Sequence, residues 1–238
     1  MRRLLLILML FVPLVAQAQD DYGLYMQEAG EASLLWRGRI DAGYDFLYNG
    51  TPYWESPDFR SGVIRYNGRD YAGVNINIDA YANQVLVRPQ SQQQAMLLNR
   101  DEVEYLLIGE HKFIYPRRTY GQAVPEGFCE VLFDGRAKLL MQVTKTLRED
   151  PEGRRRSEAG YDGQYHYGIA NIFIREVRYY YVSASGEVKQ LRRRGDILKF
   201  YKDRRKDIRR HVSALETGRY FNLGQYALCV LQYVEEGR

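Results

Sequence analysis

Two cysteines and seven prolines in 238 residues leave the chain without the covalent framework of a disulfide-dense miniprotein or the proline repetition of a collagen-like rod. Histidine is as scarce: His111, His166 and His211 lie far apart, form no HxH or HExxH pattern and have no cysteine pair nearby, so zinc-ligand spacing is missing. There is also no nucleophile elbow, no P-loop and no Gly-x-Gly-x-x-Gly run after a strand. Past the N-terminus no apolar run approaches the roughly 20 residues that a helix needs to cross a bilayer. Yet 45% of residues are hydrophobic and 27% charged, which excludes a disordered tail and suffices for a buried core.

What is present begins with an export signature. Met1, Arg2 and Arg3 precede an apolar run from Leu4 to Val15, broken by Pro13, and then Ala16-Gln17-Ala18. A basic start, a short apolar stretch and a small-x-small site read as a secretory signal peptide over residues 1–18, with cleavage after Ala18. No cysteine follows that would mark a lipoprotein. The mature chain is therefore expected to be exported, to the periplasm, the outer membrane or the medium, with no membrane-spanning segment of its own.

Its charge is unevenly spread. Residues 19–110 carry 14 acidic and 7 basic side chains, residues 111–238 carry 16 acidic and 25 basic, and residues 192–211 alone hold ten Lys or Arg against Asp196, Asp203 and Asp207. Arg204, Arg205, Arg209 and Arg210 in that stretch are candidate contacts to an anionic partner or surface. The competing reading is a solvated helix face. A nucleic-acid partner is not expected of an exported protein.

Between these ends the chain reads as β-structure. Short segments of period-two hydrophobicity alternate with turn dipeptides: Asn49-Gly50, Asn67-Gly68, Asp134-Gly135 and Ser185-Gly186. Expected strands cover 34–40, 62–66, 70–78, 84–88, 95–99, 103–108, 112–115, 128–133, 138–147 and 172–182. Ten to twelve largely consecutive strands make this a mainly β protein, an antiparallel meander that closes toward a barrel or packs as a sandwich over residues 19–191. The polar, glycine-rich stretch 148–164 reads as a long exposed loop.

Residues 192–238 read as a helical appendage packed on the same domain. Ile197, Phe200, Tyr201, Ile208, Val212 and Leu215 suit one or two short amphipathic helices with Asp196 and Asp203 as N-caps. The last helix is better specified: Asn222 and Gln225 form a capping-box pattern ahead of an apolar stripe of Leu223, Tyr226, Ala227, Val230, Leu231 and Val234. Such a stripe must dock, across the sheet or over its open end.

Taken in order, an early Leu-Tyr-Asn-Gly, the segment SGVIRYNGRDYAGVNINIDAYANQVLV, a Phe-Asp-Gly turn before Lys-Leu-Leu, and a closing Leu-Lys-x-Phe-x-Asp element followed by basic residues resemble a group of exported β-rich proteins of Bacteroidota whose function is uncharacterised. The resemblance implies a cell-envelope β protein and brings no catalytic residues with it. At Tyr201-Lys202-Asp203 it implies a proline before the aspartate, which this chain lacks.

No cofactor, metal or catalytic set is assigned from these residues, and a noncatalytic role is favoured. Carboxylates such as Asp41, Asp45, Glu55, Asp58, Asp70 and Asp79 sit at strand ends and turns, where solvation accounts for them. Cys129 and Cys229 are an even pair; a disulfide between them would close a long loop and contribute about 4 kcal/mol, whereas Cys129 also alternates with Val131 and Phe133 on an apolar face, where a free thiol acts as a small hydrophobe. The 21 tyrosines cluster at Tyr44/Tyr48/Tyr53 beside Trp54, at Tyr161/Tyr165/Tyr167 and at Tyr179-Tyr180-Tyr181. Strand alternation puts Tyr179 and Tyr181 on one side as a candidate aromatic platform, although tyrosine is also simply a good strand residue. Three functions follow from these readings: a binding or scaffold module for an envelope protein, a carrier of a small ligand or glycan, and an envelope hydrolase.

Overall fold

The computed structural model describes residues 34–89, 93–150, 171–215 and 220–235. The expected signal peptide at 1–18, the stretch 151–170 that holds most of the expected long loop, and Tyr161, Tyr165, Tyr167 and His166 lie outside the described residues. Residues 40–238 form one compact unit that includes both the sheet and the C-terminal helices.

Eleven described strands build one antiparallel sheet: β1 (Arg39–Ile40), β2 (Arg60–Tyr66), β3 (Arg69–Asp79), β4 (Gln84–Arg88), β5 (Met96–Leu97), β6 (Val103–Ile108), β7 (His111–Ile114), β8 (Cys129–Asp134), β9 (Lys138–Glu149), β10 (Asn171–Val182) and β11 (Val188–Leu191). The spatial order is β1-β5-β4-β3-β2-β6-β7-β8-β9-β10-β11. Two meanders, β2 to β5 and β6 to β11, are thus fused where β6 pairs with β2. Gly62 of β2 stands opposite Ile108 and Ile64 opposite Leu106 in that junction. The expected strand over 34–40 shrinks to two residues behind a 3-10 turn at Leu34–Trp36, because β1's partner β5 is itself only two residues long.

Turn chemistry explains the first meander. Asn67 and Gly68 adopt φ of 49° and 76°, the left-handed pair of a two-residue hairpin, joining β2 to β3. Asn49-Gly50 does something else: Asn49 makes a parallel bridge to Ile172, so this dipeptide is a docking point and not a hairpin.

The sheet is neither a closed barrel nor a sandwich. Its edge strands β1 and β11 do not pair with each other, and all eleven strands belong to one sheet. It does fold over on itself. β3 and β9 are five strand steps apart, roughly 24 Å if the sheet were flat, yet the Lys145 N–H donates to the Ala80 carbonyl at 3.1 Å. A strap of residues 49–54 spans the same gap. Asn49 exchanges bonds with β10 (its N–H to Asn171 O, 2.9 Å; Phe173 N–H to its O, 3.0 Å), and Trp54 N–H donates to Ile78 O at 2.8 Å while Pro52 O accepts from Ala80 N–H at 2.9 Å. Strand twist supplies the curl, and the strap satisfies backbone groups that an open sheet would leave to water.

Period-two alternation sorts β9 and β10 onto two sides. Leu140 and Tyr180 pack with Val124, Cys129 and Val182, beneath the loop that carries the one-turn helix α1 (Arg117–Tyr120). Gln142, fully buried, pins that loop: its Nε2 donates to the carbonyls of Pro125 and Glu126, both at 3.1 Å. Leu139 and Tyr181 face the other way, into a cluster with helices α2 (Arg194–Ile197), α3 (Arg205–Ala214) and α4 (Leu223–Glu235). Ile197, Ile208, Ala227, Val230 and Leu231 are its inaccessible centre.

The capping box at the last helix forms as the spacing predicts. Asn222 N–H donates to Gln225 Oε1 and Gln225 N–H to Asn222 Oδ1, both at 2.9 Å. Beside it, Gly224 lies so close to β10 that a Cβ there would come within 2.4 Å of the Tyr179 ring. The other two expected N-caps do not occupy that position, although Asp196 caps α2 from its third residue. Asp196 is inside α2, its Oδ2 accepting from the N–H groups of Arg192 (3.0 Å) and Arg193 (3.1 Å), and α3 starts after Arg204 without a side-chain cap. Between the two helices a run of i to i−3 bonds, such as Tyr201 N–H to Leu198 O, makes the break that the resemblance would assign to proline.

Candidate functional site

Two concavities differ in what walls them. The first is a cavity of about 200 Å³ where the sheet folds over, beneath the strap; its wall includes Trp54, Asp79, Asn83, Phe113, Glu126, Phe128, Thr144 and Lys145. The strap places Trp54, β3 ends in Asp79, and β9 contributes Thr144 and Lys145.

Asp79 is buried, not a solvated turn carboxylate as its position after a strand suggests. Its Oδ1 accepts from Tyr81 N–H (2.9 Å) and Ala82 N–H (2.7 Å), and its Oδ2 from the Tyr44 hydroxyl (2.5 Å). Burial raises its pKa above the usual carboxylate range, against the pull of those donors; burial and then the Asp79 bond push Tyr44 strongly upward as well. Tyr53, half-buried and near Asp41 and Asp79, is pushed up to about 12. Glu126 is likewise occupied, by the guanidinium groups of Arg100 and Arg117.

Lys145 is the exception. It is 9% exposed and has no ion pair among the described residues. Across the ladder it faces Arg175, a like charge. Burial first, then Arg175, hold its ammonium below the ordinary lysine pKa. Trp54 supplies the unsatisfied buried donor of this wall: its indole N–H has no acceptor, the ring packed edge-on to Phe113 (4.8 Å) and His111 (5.2 Å). His111 Nδ1 in turn lies 2.6 Å from Glu130.

Next to this cavity the strap end builds an aromatic cluster. Tyr44, Tyr48 and Tyr81 surround Phe173 at 5.8, 4.9 and 5.0 Å, with Phe46 beside them. Two of the tyrosines that the sequence groups, Tyr44 and Tyr48, do meet here. Tyr179 and Tyr181 do not form a platform: Tyr181 is buried, stacked on Phe200 at 4.4 Å with its hydroxyl 3.0 Å from that of Tyr201, and Tyr179 lies under Gly224. The C-terminal helices dock on the side that these two rings share, which removes it from solvent.

The second concavity is an open cleft of about 510 Å³ between the three C-terminal helices. Leu198, Val212, Leu215 and Tyr226 give it apolar surface, and Arg194, Arg209 and Ser213 give it polar surface. The Arg194 guanidinium lies over the Tyr226 ring at 5.3 Å and donates to Phe221 O. Burial pushes the Tyr226 hydroxyl up, and the positive charges of Arg209, Arg194 and Arg205 pull it back. No carboxylate is among the described lining residues.

The four arginines singled out from the sequence therefore part company. Arg209 lines the cleft, Arg205 lies near enough for its charge to act on Tyr226, and neither has an ion pair among the described residues. Arg204 lies over Tyr233 at 5.1 Å and reaches Val234 O at 3.4 Å, serving the helix pair instead. Arg210 approaches Asp207 at 3.7 Å. Arg194, which sequence reasoning left out, takes their place at the cleft.

Cys129 and Cys229 are both free thiols in separate clusters, Cys129 buried with Leu140 and Tyr180, Cys229 against the helix cluster. The geometry does not join them, and burial pushes the Cys129 thiol up to about 12, the behaviour of an inert core residue. Among the described residues no three His, Cys, Asp or Glu side chains gather as a metal site, and no helix is long and apolar enough to cross a membrane. Neither a family model, nor a curated protein, nor a solved structure matches the chain.

Proposed function

We propose that the chain is a noncatalytic binding module of the cell envelope that holds an acidic protein segment in the cleft between its C-terminal helices. One observation carries this reading: Arg209 lines a concave surface with an apolar floor and no carboxylate among its described lining residues, and the charge of exposed Arg205 acts on its Tyr226 wall, although Asp203 and Asp207 are close in sequence. Guanidinium groups present planar donor forks to carboxylates. Leu198, Val212 and Leu215 offer room for an apolar side chain between such contacts. The export signature at the N-terminus supplies the envelope setting.

The test is capture from envelope extract by the tagged native chain, compared with R205E/R209E. Both residues are exposed, so the variant folds. A protein retained by the native chain at low salt, released as salt rises, and held at least about tenfold less by the variant is the expected result. No protein above background, or equal retention by the variant, refutes the proposal.

A further inference from the structure

We infer that the cavity beneath the strap is a binding site for a small organic carboxylate, held by the Lys145 ammonium against the Phe113 and Phe128 rings. This does not depend on the cleft and its acidic partner.

The ligand class follows from what the wall leaves unsatisfied. Both carboxylates there are occupied, Asp79 by Tyr44, Tyr81 and Ala82, Glu126 by Arg100 and Arg117. The Asn83 side-chain oxygen accepts from Gly127 N–H and Arg100, both at 3.1 Å. What remains are donors: Lys145 Nζ, without an ion pair, and the buried Trp54 N–H. An indole N–H without an acceptor in a buried wall is costly unless a ligand acceptor meets it, and the Lys145 ammonium in the same wall, without an ion pair, favours an acceptor that is anionic. Among the described residues no carboxylate pairs with Lys145, and Arg175, a like charge, stands opposite it across the strands. A cationic ligand would meet that repulsion, and a neutral one would leave the ammonium unpaired.

Size narrows the class further. A cavity of about 150 Å³ lined by apolar groups accepts benzene, so about 200 Å³ holds a single ring or short branched chain with one carboxylate, and not a sugar chain or an acyl lipid. Phe113 and Phe128 supply flat apolar wall.

The experiment titrates sodium benzoate into the full chain by calorimetry, with benzamide as the neutral isostere. Benzoate should bind with a Kd of about 1 mM or below and at least about tenfold more tightly than benzamide. That preference should vanish in K145M and persist in R205E/R209E, which separates this site from the cleft. Because K145M removes a buried side chain, its fold is checked by circular dichroism; should it fail, nuclear Overhauser contacts from the benzoate ring to Phe113 and Phe128 in the unaltered chain locate the ligand. Absence of binding, equal binding of benzamide, or loss of binding in R205E/R209E overturns the inference.

Discussion

The strap region and the helical face solve the same electrostatic problem with opposite outcomes for water. In each, one acid is satisfied internally and cations are left over. Asp79 is met by a hydroxyl and two backbone N–H groups, Asp196 by Lys199 at 2.8 Å and two backbone N–H groups. The leftover cation beneath the strap is buried Lys145, whereas those of the helical face, Arg205 and Arg209, stay exposed. Desolvation makes the first selective for a small partner that fits; exposure makes the second a steering surface whose attraction is screened by salt. Neither arrangement sets up a nucleophile with its base.

The comparison breaks most directly at Phe173. It is 5% exposed and touches Tyr44, Phe46, Tyr48 and Tyr81, and its own N–H donates to Asn49, so ring cluster and strap share one anchor. Phe173→Ala should cost about 3–5 kcal/mol by urea denaturation. It should also abolish benzoate binding while leaving capture at the cleft intact. A loss of both would show that the two regions unfold as one. On the helical side, Asn222→Ala removes one of two reciprocal cap bonds and should cost about 1 kcal/mol, with Gln225→Ala adding little once the cap is gone, since the pair acts as a unit.

Legibility in the sequence differed between these regions for physical reasons. Short runs of β-branched and large apolar residues bounded by polar or turn residues, such as 84–88 and 103–108, coincide with β4 and β6 to the residue, and the Asn222–Gln225 cap is local chemistry that spacing alone reveals. The strap was not legible. Asn49-Gly50 has the composition of a hairpin turn, but its bonds go to β10, more than 120 residues away, and nothing local encodes that. Lys145 did leave a trace, as a lone cation between Val143 and Leu147 on an otherwise apolar side of β9. The fate of Tyr179 and Tyr181 depended on where α4 docks. Its stripe predicts burial against something, but not against which side of the sheet.

The smallest effect concerns pH, and here the two aspartates should respond with opposite sign. Asp79 has its folded pKa raised above 3.8 by burial, so the folded chain takes up its proton more readily than the unfolded one; that contribution is present below 3.8 and is lost as pH rises through the folded value. Asp196 has its folded pKa lowered, first by the Lys199 bond and then by the Arg192 N–H, so its contribution is present above 3.8 and is lost as pH falls. Urea midpoints of the native chain, Asp79→Asn and Asp196→Asn from about pH 2 to pH 7 separate them. The stability of the native chain relative to Asp79→Asn should fall as pH rises across that range, and relative to Asp196→Asn it should rise. Slopes of the same sign would mean that Asp79 is held as a charged group in the fold, in which case the Tyr44 hydroxyl and the two N–H groups outweigh its burial and the strap is an anion site already filled from within.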